Sequence, residues 1–154
     1  MASVAPPTEA IHPATPGIDR GQAPQPNLLV IFGAPGDLAW RKLLPAVYNL
    51  NAEGVLPAHF AVVGFGLPAQ GQVEGDPDEW IRRRARDGIQ RFSRRPLEED
   101  DWADFARALF FVEGSFGDAR AYERLKARLA TVDQQFGVPG SRLFYLSIPP
   151  GLVP

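Results

Sequence analysis

The 154-residue sequence contains no cysteine and only two histidines, His12 and His59. The absence of cysteine excludes disulfide bonds, thiol catalysis and thiolate metal sites, and it fits a reducing cytoplasm. The two histidines and the scattered carboxylates lack the spacing of metal ligands. We therefore predict a cytoplasmic protein without a metal site.

The sequence also lacks a long apolar run and a strong charge of either sign. No apolar stretch approaches the roughly 18 residues of a membrane span. The first ten residues have neither the basic nor the apolar region of a secretory signal. The formal net charge of -2 provides no attraction for nucleic acid or for an anionic membrane. No nucleic-acid partner and no membrane partner are therefore expected.

Residues 1–26 form a proline-rich segment without periodic apolar residues. Its prolines are Pro6, Pro7, Pro13, Pro16, Pro24 and Pro26. Such a segment buries too little surface to offset its ordering entropy, which predicts a disordered tail. A single folded domain is expected over residues 27–154, a length that suits one domain.

Four short apolar runs divide that domain: NLLVIF, FAVVGF, LFFVEG and RLFYLSI. NLLVIF and FAVVGF are typical of strands buried on both faces, and LFFVEG and RLFYLSI are predicted as the third and fourth strands. Helical patterns lie between them, the first from about Asp37, with Pro45 either kinking it or opening a second segment. A later helix is predicted to begin with Asp76 as its N-cap and Pro77 as its first residue. The alternation predicts an incomplete doubly wound, Rossmann-like α/β fold, with helices on both faces of a parallel sheet.

A glycine turn, GAPGDLA, joins the first predicted strand to the first helix. Its first glycine allows a tight turn, and its second lets a pyrophosphate approach the backbone, in front of the positive end of the helix. A P-loop is excluded because no Gly-Lys-Ser/Thr follows, whereas a plain structural turn is the alternative. The predicted cofactor-binding residues are Gly33, Ala34, Pro35, Gly36, Asp37 and Leu38.

A longer string around this turn resembles the amino-terminal coenzyme domain of the glucose-6-phosphate dehydrogenase family. It runs GAPGDLAWRKLLPAVYNL, followed by GVLPAHFAVVGF, where the family has a pattern close to GASGDLAKRKLLPALYNL and a second strand ending in Val-Gly. The later stretches FVEGSFGDARAYERL and FYLSIPP are also similar to the family, the second to its Tyr-Leu-Ala-x-Pro-Pro. The resemblance extends from about Asn27 to Pro150.

The resemblance implies an oxidoreductase that passes hydride from glucose 6-phosphate to NADP, or sometimes to NAD, as the entry step of the pentose phosphate pathway. It implies that Lys42 binds the substrate phosphate. Without the resemblance, Lys42 would be interpreted as part of a solvated face of the first helix. The resemblance also implies that Pro149 follows a cis peptide bond beside the nicotinamide.

Two departures from the family pattern predict weakened binding of NADP or NAD. Pro35 stands where the family has serine or threonine, which removes a hydroxyl and a backbone N–H near the ribose phosphate. Leu67 lies where the family usually has an arginine for the 2′-phosphate, and no acidic residue for NAD stands there either. Loss of one charged hydrogen bond weakens binding by about 1.5–3 kcal/mol. Because neither the arginine for NADP nor an acidic residue for NAD is present, the cofactor preference stays open.

The large α+β domain that carries the family's catalytic histidine is absent from this sequence. No catalytic residue is therefore predicted, and the chain is interpreted as a truncated coenzyme domain that is inactive alone. Glucose 6-phosphate is expected as a partner only if the missing domain is supplied. The alternatives are a non-catalytic nucleotide- or partner-binding module and a non-functional gene remnant. The sheet edge left by absent strands predicts self-association or pairing with a separately encoded remainder.

Two further patterns receive structural interpretations. Tyr122 and Lys126 have the spacing of a short-chain dehydrogenase pair, but Tyr122 lies on an apolar helix stripe and precedes the fourth strand, so its ring is expected to pack on the sheet. The run Arg82-Arg83-Arg84 is interpreted as a solvated helix face, with contact to a cofactor phosphate as the alternative.

Overall fold

The computed structural model describes residues 24–152. Most of the predicted disordered tail, residues 1–23, lies outside the described residues. The four strands are β1 (Asn27–Phe32), β2 (Phe60–Gly66), β3 (Leu109–Glu113) and β4 (Arg142–Leu146). They pair in parallel in the order β3-β2-β1-β4. The predicted α/β class with a parallel sheet is confirmed, and β4 ends two residues before the predicted Ile148.

The first helical segment changes from a π-helix to an α-helix at Leu44, one residue before Pro45, and its backbone stays helical through the change. A five-residue π-helix, Ala39–Leu43, leads directly into α1 (Leu44–Ala52), with Pro45 in the first turn of α1. Proline has no N–H to donate, so a first-turn position costs no hydrogen bond. Pro45 thus lies at the start of the regular α-helix, directly after the wider π turn.

Three further helices complete the fold: α2 (Pro77–Phe92), α3 (Glu99–Arg107) and α4 (Ala119–Phe136). The predicted N-cap of α2 is confirmed, because the Asp76 carboxylate accepts from the N–H groups of Asp78 at 2.8 Å and Glu79 at 3.1 Å. A short 3₁₀ helix, Pro150–Leu152, follows β4.

The sheet has one hydrophobic core on each face. Leu29 and Ile31 of β1 pack with residues of α1, α2 and α3, whereas Leu28 and Val30 pack with residues of α4. Successive strand residues point to opposite faces, so both alternating sets of β1 are buried. This explains why the strands are continuous apolar runs rather than alternating patterns.

The free edge of β3 is covered by side chains of α2. The Asp78 carboxylate accepts from the N–H of Phe111 at 2.8 Å, and Arg82 Nε donates to the carbonyl of Leu109 at 3.2 Å. Arg84, which is also half-buried, stacks over the Trp40 ring, and burial lowers the pKa of its guanidinium. The predicted solvated face is therefore wrong for Arg82 and Arg84, because these side chains bind the sheet edge and the Trp40 ring.

The opposite edge, at β4, is open. Four consecutive apolar side chains of this strand are 40–59% exposed: Leu143, Phe144, Tyr145 and Leu146. Phe144 lies near Phe32 of β1, with ring centroids 6.1 Å apart, and no described residue pairs with the outer edge of β4. The two edges of one sheet therefore differ sharply in their protection.

Candidate functional site

The glycine turn lies at the carboxyl end of β1 and is held by the neighbouring strands. Gly33 has a positive φ of 86°, and its N–H donates to the carbonyl of Phe65 at 2.8 Å. A Cβ placed on Gly33 would lie 2.0 Å from the carbonyl oxygen of Ser147. Only glycine fits here, because both the backbone conformation and the close approach of β4 exclude a side chain.

The turn leaves backbone donors free in front of the helical segment. Gly36 donates to the carbonyl of Gly33 at 2.9 Å, whereas the N–H groups of Asp37 and Leu38 form no hydrogen bond with another backbone carbonyl of residues 24–152. The Asp37 carboxylate accepts from Arg41 Nε at 2.8 Å, one helical turn further on. Free N–H groups at a helix start form an anion-binding arrangement.

Two adjoining clefts open at the carboxyl ends of the strands. The turn cleft, of about 230 Å³, is lined by the turn residues Gly33, Pro35 and Gly36, by Phe116, and by Ser147, Ile148 and Pro149 after β4. The outer cleft, of about 370 Å³, is lined by Gln72, Glu113, Asp118 and Arg124. Leu67, Gly114 and Ser115 line both clefts, so the two are neighbours. Ligands of doubly wound folds bind in crevices at the carboxyl ends of the strands.

The structure brings half of the predicted site residues to the turn cleft, namely Gly33, Pro35, Gly36 and Pro149. Ala34 is 1% exposed and packs against Gly64 in the core, so its side chain does not reach the clefts. Lys42 lies in a separate cavity of about 350 Å³, together with Pro45, Phe92 and Arg94. Asp37 and Leu38 directly follow Gly36 in the chain and line neither cleft.

The expected cis bond before Pro149 is wrong for this structure. No peptide bond among residues 24–152 is cis, so the bond from Ile148 to Pro149 is trans. The trans form is the lower-energy isomer of an X-Pro bond, and both residues line the turn cleft in this form.

Ser147 is a site residue that the sequence interpretation missed. Its Oγ is buried and has no hydrogen-bond partner among the described residues, although its N–H donates to the carbonyl of Phe32 at 2.8 Å. A buried hydroxyl without a partner costs free energy, and such groups mark places where a bound molecule completes the hydrogen bonding. The available signal was the serine in FYLSIPP, where the family pattern has alanine.

A larger cavity, of about 690 Å³, lies at the opposite end of the sheet. It is lined by Leu56, His59 and Phe60, before and at the start of β2, and by Phe136 and Gly137 at the end of α4. His59 Nδ1 lies 2.9 Å from the carbonyl of Phe136, so its ring links the loop before β2 to the end of α4. This cavity is at the amino ends of the strands, away from the glycine turn.

Residues 24–152 contain no group of three or more side chains that could hold a metal ion. No helix among them is both long enough and apolar enough to cross a bilayer.

The Tyr122 ring lies 5.3 Å from that of Phe65, centroid to centroid, and its hydroxyl donates to the carbonyl of Phe116 at 2.9 Å. The predicted packing of Tyr122 on the sheet is confirmed.

Comparison with known proteins identifies the fold and the family together. Residues 30–154 match the family model described as glucose-6-phosphate dehydrogenase, NAD binding domain. The chain is 37% identical over 143 residues to glucose-6-phosphate 1-dehydrogenase of Chlamydia pneumoniae, covering 93% of this chain and 27% of that protein. It is 34% identical over 127 residues to the enzyme of Leuconostoc mesenteroides, covering 80% of this chain and 24% of that one.

A solved structure agrees with these matches. A glucose-6-phosphate dehydrogenase in complex with its substrate glucose-6-phosphate superposes with a TM-score of 0.68 and 25% identity, covering 84% of this chain and 26% of that one. The chain thus spans about a quarter of the length of the relatives that it matches. It belongs to the glucose-6-phosphate dehydrogenase family and corresponds to the NAD-binding domain of that family.

Proposed function

We propose that this chain is the coenzyme-binding part of a glucose-6-phosphate 1-dehydrogenase and that it binds NADP or NAD at the two clefts. The reaction of the complete enzyme is oxidation of glucose 6-phosphate to 6-phosphogluconolactone, with hydride passing to the dinucleotide. The proposal includes a cytoplasmic location, which the absence of cysteine favours. The observation that carries it is the glycine turn, whose shape excludes any side chain at Gly33 and after which the N–H groups of Asp37 and Leu38 form no hydrogen bond with another backbone carbonyl of residues 24–152.

The residues present fit a dinucleotide. The N–H groups of Asp37 and Leu38 would hold the pyrophosphate, and Gly36 allows its approach. Ser147 and Pro149 would lie at the nicotinamide end, where the buried Ser147 hydroxyl lacks a partner. The dinucleotide supplies the hydride acceptor, whereas these residues bind and orient it. Lys42 remains a proposed substrate-phosphate residue, with an ammonium that complements a dianion.

Binding is tested by isothermal titration and by thermal unfolding with each dinucleotide. We expect saturable binding and a stabilisation of about 2.7 kcal/mol at one hundred times the dissociation constant. The Ser147→Ala variant, which restores the family residue, is expected to bind several-fold more weakly while its melting temperature without ligand is not lowered, because the buried hydroxyl has no partner among residues 24–152. A chain that unfolds without cooperativity and binds neither dinucleotide would support the gene-remnant alternative instead.

The chain by itself is expected to show no turnover. Its described residues place no histidine near the turn cleft, since His59 lies at the opposite end of the sheet. Loss of a positioned general base alone costs about two to four powers of ten in rate. The measurement is reduction of NADP or NAD with glucose 6-phosphate, followed at high protein concentration. Any reduction above the substrate-free control would contradict the expectation.

The exposed β4 edge is proposed to pair with a second copy of the chain. No residue of 24–152 pairs with its outer backbone edge, and a partner strand that added to this edge would bury part of its apolar side chains. Sedimentation velocity is expected to show a concentration-dependent dimer that the Leu143→Lys variant disrupts. Val55→Lys is the control, because Val55 is 53% exposed but lies outside the sheet. A monomer at all concentrations would exclude this pairing.

A further inference from the structure

We infer that the outer cleft selects NAD over NADP and that Glu113 is the residue responsible. The inference rests on the proposed dinucleotide binding and names which dinucleotide the site prefers. In doubly wound folds the 2′ position of the adenosine ribose lies beside the residues that follow the second strand. Here the first of these is Leu67, and it lines the outer cleft together with Glu113.

The usual partners of a 2′-phosphate are missing from this cleft. Leu67 is apolar and 44% exposed, so it offers no charge at the position after β2. On the other side, the Pro35 ring packs against the end of β2, where a Cβ on Gly66 would lie 3.0 Å from Pro35 Cδ. Proline supplies neither a hydroxyl nor an N–H to a phosphate oxygen.

The charges that do line the cleft oppose a phosphate. Arg124 is its only cation among the described residues, and its guanidinium donates to the backbone carbonyl of Glu113 at 3.0 Å. Two carboxylates accompany it, those of Glu113 and Asp118. A dianion would therefore lie near two negative charges and one cation that already has a hydrogen-bond acceptor.

Glu113 has the geometry to accept from a ribose hydroxyl. It is the last residue of β3 and pairs in register with Gly66, the last residue of β2. One carboxylate oxygen, Oε2, accepts from the N–H of Val73 at 3.1 Å, which fixes the side chain. The other oxygen accepts no hydrogen bond from residues 24–152. A free 2′-hydroxyl can donate to it, whereas a 2′-phosphate is repelled by it.

The test is titration of the purified chain with NAD and with NADP at one ionic strength. We expect NAD to bind at least about tenfold more tightly, the effect of one charged hydrogen bond. Glu113→Gln retains an acceptor for Val73, and it is expected to remove most of this preference. Leu67→Arg is expected to tighten NADP binding by about ten- to a hundredfold. Glu74→Gln is the control, because Glu74 is exposed on the same loop and lines neither cleft.

Each result separates the inference from the function on which it rests. Equal affinities, or tighter NADP binding, would overturn the inference and leave dinucleotide binding intact. A preference for NAD that Glu113→Gln leaves unchanged would also overturn the role of Glu113. Failure of the wild-type chain to bind either dinucleotide would overturn the proposed function and this inference together.

Discussion

The Gly33→Ala variant is expected to lose dinucleotide binding and to melt about 10 °C below the wild type. The added Cβ would lie 2.0 Å from the carbonyl oxygen of Ser147, a backbone atom that cannot move without displacing β4. The φ of 86° adds the strain of a left-handed conformation, about 1–2 kcal/mol for alanine. Strain and clash together are expected to lower the free energy of unfolding by about 3 kcal/mol, which corresponds to a fall of about 10 °C in melting temperature for a chain of this size.

The matched control for this variant is Gly54→Ala. Gly54 also has a positive φ, of 69°, but no atom lies within 4 Å of an added Cβ. The control therefore reports backbone strain without the clash and is expected to lose about 1–2 kcal/mol while binding the dinucleotide normally. Equal melting temperatures for the two variants would contradict the close approach of β4 to the turn.

The Asp78→Ala variant is expected to lose about 3 kcal/mol of stability, or about 10 °C in melting temperature. Asp78 is in the first turn of α2, where its carboxylate accepts from the N–H of Phe111 at 2.8 Å and from Arg128 of α4 at 2.5 Å. This side chain joins the helices of both faces across the free edge of β3. Its removal leaves a strand N–H and a half-buried guanidinium without their acceptor.

The control for Asp78 lies on the same helix. Asp87 pairs with Arg91 at 2.9 Å, but both side chains are exposed, so Asp87→Ala is expected to change stability by less than about 0.5 kcal/mol. Hydrogen exchange supplies a second measurement, since the Phe111 amide should exchange faster in Asp78→Ala alone. Equal melting temperatures for Asp78→Ala and Asp87→Ala would show that Asp78 does not stabilise the sheet edge.

Sequence patterns predicted the local elements of this fold well. β1, β2 and β3 were recognisable because they are buried on both faces and therefore continuously apolar. β4 is a similar apolar run although most of its side chains are exposed. The Asp76 cap was recognisable because its partners are two and three residues away. The turn was recognisable because its two glycines and the helix start that follows them form one short motif. The close approach of Ser147, which also requires glycine at position 33, comes from a distant part of the chain.

Contacts between distant residues decided the details of the site. Glu113 meets Val73 across 40 positions of sequence, and Ser147 reaches the turn only because β4 pairs beside β1. The fold also decided that Lys42 lies in a separate cavity and that the peptide bond before Pro149 is trans. No local pattern encodes these distances or this isomer.

The sequence by itself determined the order of strands and helices, the family and the position of the phosphate turn. These depend on periodicity and on short motifs, in which each residue acts through its own conformational preference or near neighbours. Only the tertiary structure decided that Asp78 protects the β3 edge while β4 stays exposed, and that Glu113 and Leu67 share one cleft. Those outcomes depend on the pairing of parallel strands, which brings together chain segments that are far apart in sequence.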